Sequence, residues 1–249
     1  MLSKAQNKYI RSLTHQKHRN DNKVFIAEGA KIAGEWLLSA RKIQYIVGTE
    51  DWMAAHLALV TQHPEAQAHI VTTDELNALS LLPSPNQVML VVDLPSEPEL
   101  PQIDEWCIAL DNIQDPGNMG TIIRIADWFG INHIICSEGC VDVYNPKVVQ
   151  AAMGGQLRVK CYTTDLPAFL KQTELPVYAA TLDGTNIYTV EKATKGILVI
   201  GNESKGISDG VIQCATQKVM IPRLGGAESL NAGVSAGILC ALLLPANTL

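Results

Sequence analysis

The sequence has no CxxC pair, although it holds six cysteines, at 107, 136, 140, 161, 214 and 240. Without that spacing there is no zinc or dithiol motif, and most of these cysteines lie in or beside apolar runs such as HIIC and GILCALLL. A disulfide framework is not expected in a chain of 249 residues, long enough to bury its own core. The six are expected as reduced, buried thiols in a cytosolic protein. No strand candidate is followed by GxGxxG, which disfavours a nicotinamide enzyme, and no GxxxxGK[ST] phosphate loop is present. An apolar stretch of signal type is missing near residue 1, and the run at 234–244 is too short to span a bilayer. No internal repeat or low-complexity tract stands out. Aromatics make up 5% of the chain, and Tyr9 and Phe25 are the only rings near its most basic stretch. Stacking on single-stranded nucleic-acid bases is therefore poorly provided for.

What is present is an ordinary globular composition, 47% hydrophobic and 18% charged, which excludes disordered, collagen-like and coiled-coil chains. The net charge of −6 would argue against a nucleic-acid partner if it were spread evenly. It is not. Residues 1–42 hold nine basic and three acidic side chains, a net of +6, and the remainder carries −12. Lys8, Arg11, Lys17, Arg19 and Lys23, with His15 and His18, form a basic stretch ahead of the first strand candidate. These five cations are the candidate contacts to nucleic-acid phosphates.

Residues 94–103, rich in proline and acid and without apolar period, read as a linker between two α/β domains. Before it, the apolar pattern predicts strands at 24–26, 43–47, 69–71 and 88–92. Helices are expected at 29–40, 52–62 and 74–81, the last capped by Asp74. After it, strands are expected at 106–110, 133–136, 177–180, 198–200 and 219–221. Helices are expected at 119–129, 146–153, 166–171 and 230–243, the last capped by Ser229. Most strands are unbroken apolar runs, which implies a mostly parallel sheet buried on both faces. The domains are thus expected at 1–93 and 104–249.

Three strand ends in the second half run into turns rich in glycine, asparagine, proline or serine. In open α/β sheets, ligands bind outside the carboxyl ends of the strands. The first segment is DNIQDPGNMGTIIRIADWFG, with Arg124 about one and two-thirds turns beyond Asn118. The second is LVIGNESKGIS, where Glu203 follows a buried strand and Gly201 and Gly206 allow close backbone approach. The third is MIPRLGGAESLNAGVSAGI, whose helix opens on small, weak helix formers. Those make sense where another backbone packs closely or a ligand lies against the helix start.

In this order and spacing the three segments closely resemble the motifs of the SpoU/TrmH-type RNA ribose 2′-O-methyltransferases, over about 145 residues. The stretch KYIRSLTHQKHRNDNKVFIAEGAKIAGEWL resembles the substrate-binding domain that precedes this catalytic domain. The resemblance implies a small N-terminal, ribosomal L30e-like α/β domain that binds RNA. It implies a C-terminal α/β domain whose chain threads a trefoil knot, and a homodimer through that domain. S-adenosylmethionine would be the methyl donor, and rRNA or tRNA the substrate, with rRNA slightly favoured by the two-domain layout. No metal is implied.

By matching positions, Asn118, Arg124, Glu203, Ser229 and Asn231 correspond to the catalytic residues. Thr181, Leu182, Gly201, Asn202, Gly206, Ile221, Pro222 and Leu230 correspond to the cofactor-binding positions. A guanidinium resists deprotonation, so Arg124 suits a phosphate clamp better than a base. Glu203 would orient Arg124 or Asn118. Two departures stand out: Gln150 where arginine is common and Ala152 where serine is common. Two other readings remain open: a knotted base methyltransferase, and an RNA-binding or ribosome-assembly factor with a vestigial pocket.

Overall fold

The computed structural model describes residues 2–80, 82, 86–96 and 99–245. The first stretch of chain forms α1 (Lys4–Ser12), α2 (Gln16–Asn22), β1 (Val24–Glu28), α3 (Ala30–Leu37), β2 (Ile43–Gly48), α4 (Glu50–Ala55), α5 (Leu57–Val60), β3 (Gln67–Ile70), α6 (Thr73–Leu79) and β4 (Val88–Asp93). The second forms β5 (Cys107–Asp111), α7 (Pro116–Trp128), β6 (His133–Cys136), α8 (Pro146–Ala152), β7 (Lys160–Thr163), α9 (Leu166–Gln172), β8 (Val177–Asn186), β9 (Ile197–Gly201), α10 (Asp209–Ile212), β10 (Gln217–Met220) and α11 (Ala232–Leu243).

The chain divides into two compact α/β units. One comprises residues 1–96 with 144–157, the other 97–143 with 158–249. The segment 144–157, expected in the second domain, therefore belongs to the first. There Val149 joins the core of Phe25, Trp36 and Ile46, with Tyr144, Met153 and Leu157 packed against it. The chain passes from one unit to the other between residues 96 and 97, within the expected linker. Leu94 packs on the first core and Leu100 and Ile103 on the second, so the linker is anchored at both ends by its few apolar side chains. Its Glu97 and Pro98, like Leu81 of the expected helix 74–81, lie outside the described residues.

The first unit carries a four-stranded sheet in the order β1-β4-β2-β3. Its β4 runs antiparallel to both neighbours, and β2 pairs parallel with β3. Ile10 of α1 and Leu13 belong to a core cluster with Val24, Ile26, Val47 and Val91. The basic stretch is thus two short helices that cover part of this core, not an appended arm. The cap of α6 is Thr72, not Asp74. Its hydroxyl accepts from the Glu75 amide while the Glu75 carboxylate accepts from the Thr72 amide, a capping box.

The second unit is a six-stranded, wholly parallel sheet in the order β10-β8-β9-β5-β6-β7. Central β5 and β9 are buried almost along their whole length, as their unbroken apolar runs require. Edge strand β7, KCYT, escaped the apolar pattern because half of its residues face outward. The order reverses between β5 and β9, so that β6 and β9 lie on opposite sides of β5. Such a switch point places a crevice at the carboxyl ends of these strands.

Candidate active site

Helix α7 starts where Asp115 accepts the Asn118 amide at 2.8 Å and Pro116 takes the first turn. That geometry turns the Asn118 side chain inward, where it is 7% exposed. Its Nδ2 donates to Glu203 Oε1 at 2.5 Å, and its Oδ1 accepts from Asn231 Nδ2 at 2.6 Å. Three motifs far apart in sequence thereby meet in one hydrogen-bonded line. Asn231 also caps α11, its Oδ1 accepting the Val234 amide at 3.2 Å. The cap is therefore Asn231, and not Ser229 as expected.

The small residues of α11 serve close helix packing. A Cβ at Gly233 would lie 2.8 Å from Cγ2 of Thr121 on α7, closer than van der Waals contact allows. Glycine there lets the two helices approach until Asn231 reaches Asn118. Gly201 is needed for a different reason. A Cβ there would sit 2.5 Å from the backbone of Gly206 and Ile207. Asn202 and Gly206 bond to each other through both backbone pairs, at 3.0 and 2.8 Å, and Gly206 adopts φ +70°. The loop is closed upon itself, and Glu203 projects from it.

The other two catalytic candidates stand apart from this line. Arg124 lies on the exposed side of α7, and among the described residues its guanidinium has no hydrogen-bond or ion-pair partner. Glu203 therefore orients Asn118 and not Arg124. Ser229 is exposed in the loop that precedes α11 and makes no hydrogen bond to the trio among the described residues.

The cofactor candidates cluster by topology. Strands β10, β8 and β9 are successive neighbours, spaced by about 5 Å. The pairing of β8 with β10 jumps from Ala179 to Thr185 between Lys218 and Val219. Residues 180–184 bulge out of the ladder, and Thr181 and Leu182 ride on this bulge. Gly201 and Asn202 end β9, and Ile221 and Pro222 follow β10. Leu182 on the bulge is 73% exposed, and Leu230, the residue before the α11 cap, is 47% exposed. Among the described residues, 221–230 make no backbone–backbone hydrogen bond to another element. Free amide edges with exposed apolar side chains are a donor set that fits an adenine-bearing ligand.

In the first unit, Lys8, Arg11, Lys17 and Lys23 are exposed. Arg19 is not: it is 1% exposed, and its Nη1 donates to the carbonyls of Leu13 and Thr14, each at 2.9 Å. It locks the α1–α2 turn and is withdrawn from the set of phosphate contacts. All six cysteines are free thiols, with Cys107, Cys136 and Cys240 buried and the other three half-buried. Among the described residues no side-chain cluster could hold a metal ion and no helix is long and apolar enough to cross a membrane.

Comparison with known proteins adds the family. Residues 105–241 match the SpoU rRNA Methylase family, and residues 4–90 match an MRM3-like substrate binding domain. The chain belongs to the SpoU rRNA Methylase family. It is 27% identical to the 23S rRNA (guanosine(2553)-2′-O)-methyltransferase RlmP of Bacillus subtilis, over 96% of each chain. A TrmH-family protein from Porphyromonas gingivalis has a similar structure, with a TM-score of 0.85 and 38% identity over 98% of each chain. An rRNA methyltransferase from Sinorhizobium meliloti, solved with AdoMet bound, gives a TM-score of 0.84 and 28% identity over 96% of this chain and 94% of that one. Each of these matches covers both units of this chain.

Proposed function

We propose that this SpoU-family enzyme, an RNA 2′-O-methyltransferase that uses S-adenosylmethionine, modifies a ribose of ribosomal RNA. The observation that carries the reading is the line Glu203–Asn118–Asn231, assembled from all three motifs at the carboxyl ends of a parallel sheet. The rRNA substrate is supported by similarity to RlmP over nearly the whole chain and by the MRM3-like domain.

Thr181, Leu182, Gly201, Asn202, Gly206, Ile221, Pro222 and Leu230 would hold the cofactor, whose sulfonium carries an already electrophilic methyl group. The protein's task is to orient a ribose hydroxyl and remove its proton. Among the described residues Asn118 and Asn231 each donate only one amide hydrogen, and the second can fix the ribose oxygens. Arg124, exposed and unpaired, clamps the flanking phosphate through its planar fork. Ser229, on the adjacent loop, contacts the nucleotide from the other side. Lys8, Arg11, Lys17 and Lys23 add sequence-independent affinity for RNA backbone. The trefoil threading, the homodimer and a cytoplasmic location belong to the same reading.

The test is mass-spectrometric mapping of 2′-O-methyl groups in total RNA from cells with and without this gene. A single rRNA ribose that loses its methyl group supports the proposal and names the nucleotide. An unchanged map overturns it.

A further inference from the structure

Two residues outside the matched catalytic and cofactor positions hold the loop that carries Glu203. Asp111 is the last residue of β5 and is 2% exposed. Its Oδ2 accepts the Ser208 amide at 2.7 Å, and its Oδ1 accepts Asn112 Nδ2 at 2.7 Å. Asn112 takes a left-handed backbone, φ 57°, which costs most residues about 1 kcal/mol but which asparagine tolerates. In that conformation its amide donates to Ser137 Oγ at 2.9 Å and its carbonyl accepts Asn202 Nδ2 at 2.8 Å. Asn202 Oδ1 in turn accepts the amides of Ser204 and Lys205, each at 3.0 Å.

Both feet of the 202–208 loop therefore stand on the end of β5, one through Asn112 and one through Asp111. Glu203 lies between Asn202 and the two amides, of Ser204 and Lys205, that Asn202 holds. From β5 to the proposed reaction centre the contacts are continuous: Asp111, Asn112, Asn202, the loop, Glu203 and Asn118. We infer that Asp111 and Asn112 are positioning residues, which set the Glu203 carboxylate against Asn118 without touching substrate. The inference rests on the proposed methyltransferase site.

A double-mutant cycle decides it. Asp111→Asn replaces one of two acceptor oxygens with a donor, so one of the two clamp bonds breaks. Asn112→Gly keeps the left-handed backbone and removes the bond to Asp111 along with the side chain's packing on Gly139, and it serves if Asp111→Asn fails to fold. In the wild-type background either change should lower kcat at least about tenfold, as displaced catalytic groups do, with KM for RNA within about twofold. In a Glu203→Ala background the same change should cost less than about twofold, because the group it positions is gone. Equal losses in both backgrounds, or no loss in the first, overturn the inference. Amide exchange at Ser204 and Lys205 gives a readout independent of turnover. It should accelerate in both variants, and wild-type protection there overturns the inference. Should the RNA map show no missing methyl group, the functional proposal falls while the exchange result still decides whether this clamp holds the loop.

Discussion

Asn231 donates to Asn118 across 2.6 Å, and that one contact fixes the orientation of two amides. Because Asn231 Oδ1 already accepts the Val234 amide, its Nδ2 is the group left to face Asn118. Asn118 must then present Oδ1 to Asn231 and Nδ2 to Glu203. Glu203, an acceptor at the end of the line, completes the chain as a carboxylate. The start of α11 thus dictates which way the polar groups of α7 point.

Asn231→Asp separates the two jobs of this residue. Aspartate caps a helix as well as asparagine does, so thermal stability should stay within a few degrees of wild type. It cannot donate to Asn118, and the line of amides loses its direction. Methyl transfer should fall about 100-fold, the size seen when one oriented active-site donor is lost. A melting curve and a methyl-transfer assay check both halves. Near-wild-type turnover would sink the proposed role of the line.

Arg124→Lys tests the phosphate clamp. Lysine keeps the charge and loses the planar fork. Removal of one charge-assisted hydrogen bond costs about 1.5–3 kcal/mol, so methylation of RNA should drop at least about tenfold while the affinity for S-adenosylmethionine measured by calorimetry stays put. Retention of full turnover would show that charge alone suffices.

The N-terminal cations divide into two kinds. Substitution of Lys8, Arg11 or Lys17 by alanine should each lower the slope of log affinity against log salt by about 1, with little change in stability. Arg19→Ala should leave the slope alone. Instead it strips the carbonyls of Leu13 and Thr14 of a buried donor and destabilises the fold by about 1–3 kcal/mol. Point substitutions are the right tool here. Truncation of residues 1–23 would also remove Ile10 and Leu13 from the core. Salt titrations of RNA binding on the four variants, with chemical denaturation, separate the two kinds.

Much of this was legible before the structure, for definite reasons. A parallel sheet covered on both faces needs unbroken apolar strands, and β5, β6 and β9 announce themselves that way. Motif order brought Asn118, Glu203 and Asn231 to one site. What escaped was decided by tertiary contact. Arg19 reads like its basic neighbours until the α1–α2 turn wraps its guanidinium. Residues 144–157 read as part of the second domain because chain order says nothing about which core Val149 enters. Asp111 and Asn112 belong to the first motif, yet their partners Ser208 and Asn202 lie about ninety residues away. Caps shifted between neighbours, from Ser229 to Asn231, where both side chains could serve.

The cysteines offer a final test, because burial and hydrogen bonding pull their acidities apart. Burial pushes the thiols of Cys107, Cys161 and Cys240 up to about 12. Cys140 goes the other way, to about 7, chiefly through a hydrogen bond from the Cys136 thiol, with help from the Ile113 and Asn112 backbone and the Ser137 hydroxyl. The thiolate is the nucleophile, so iodoacetamide at pH 8 should alkylate Cys140 of the native protein well ahead of those three. The rate should rise through a midpoint near pH 7, where this one thiol ionises, and level off above it as the thiolate fraction saturates. Peptide mass spectrometry over a pH series reads both. A midpoint at the ordinary thiol value of about 8.5, or earlier labelling of Cys107, would show that the Cys136 contact does not act on Cys140. The turn that carries Cys140 abuts Asn112 through Ser137. An adduct there should therefore also speed amide exchange at Ser204 and Lys205, two bonds further along the same chain of contacts.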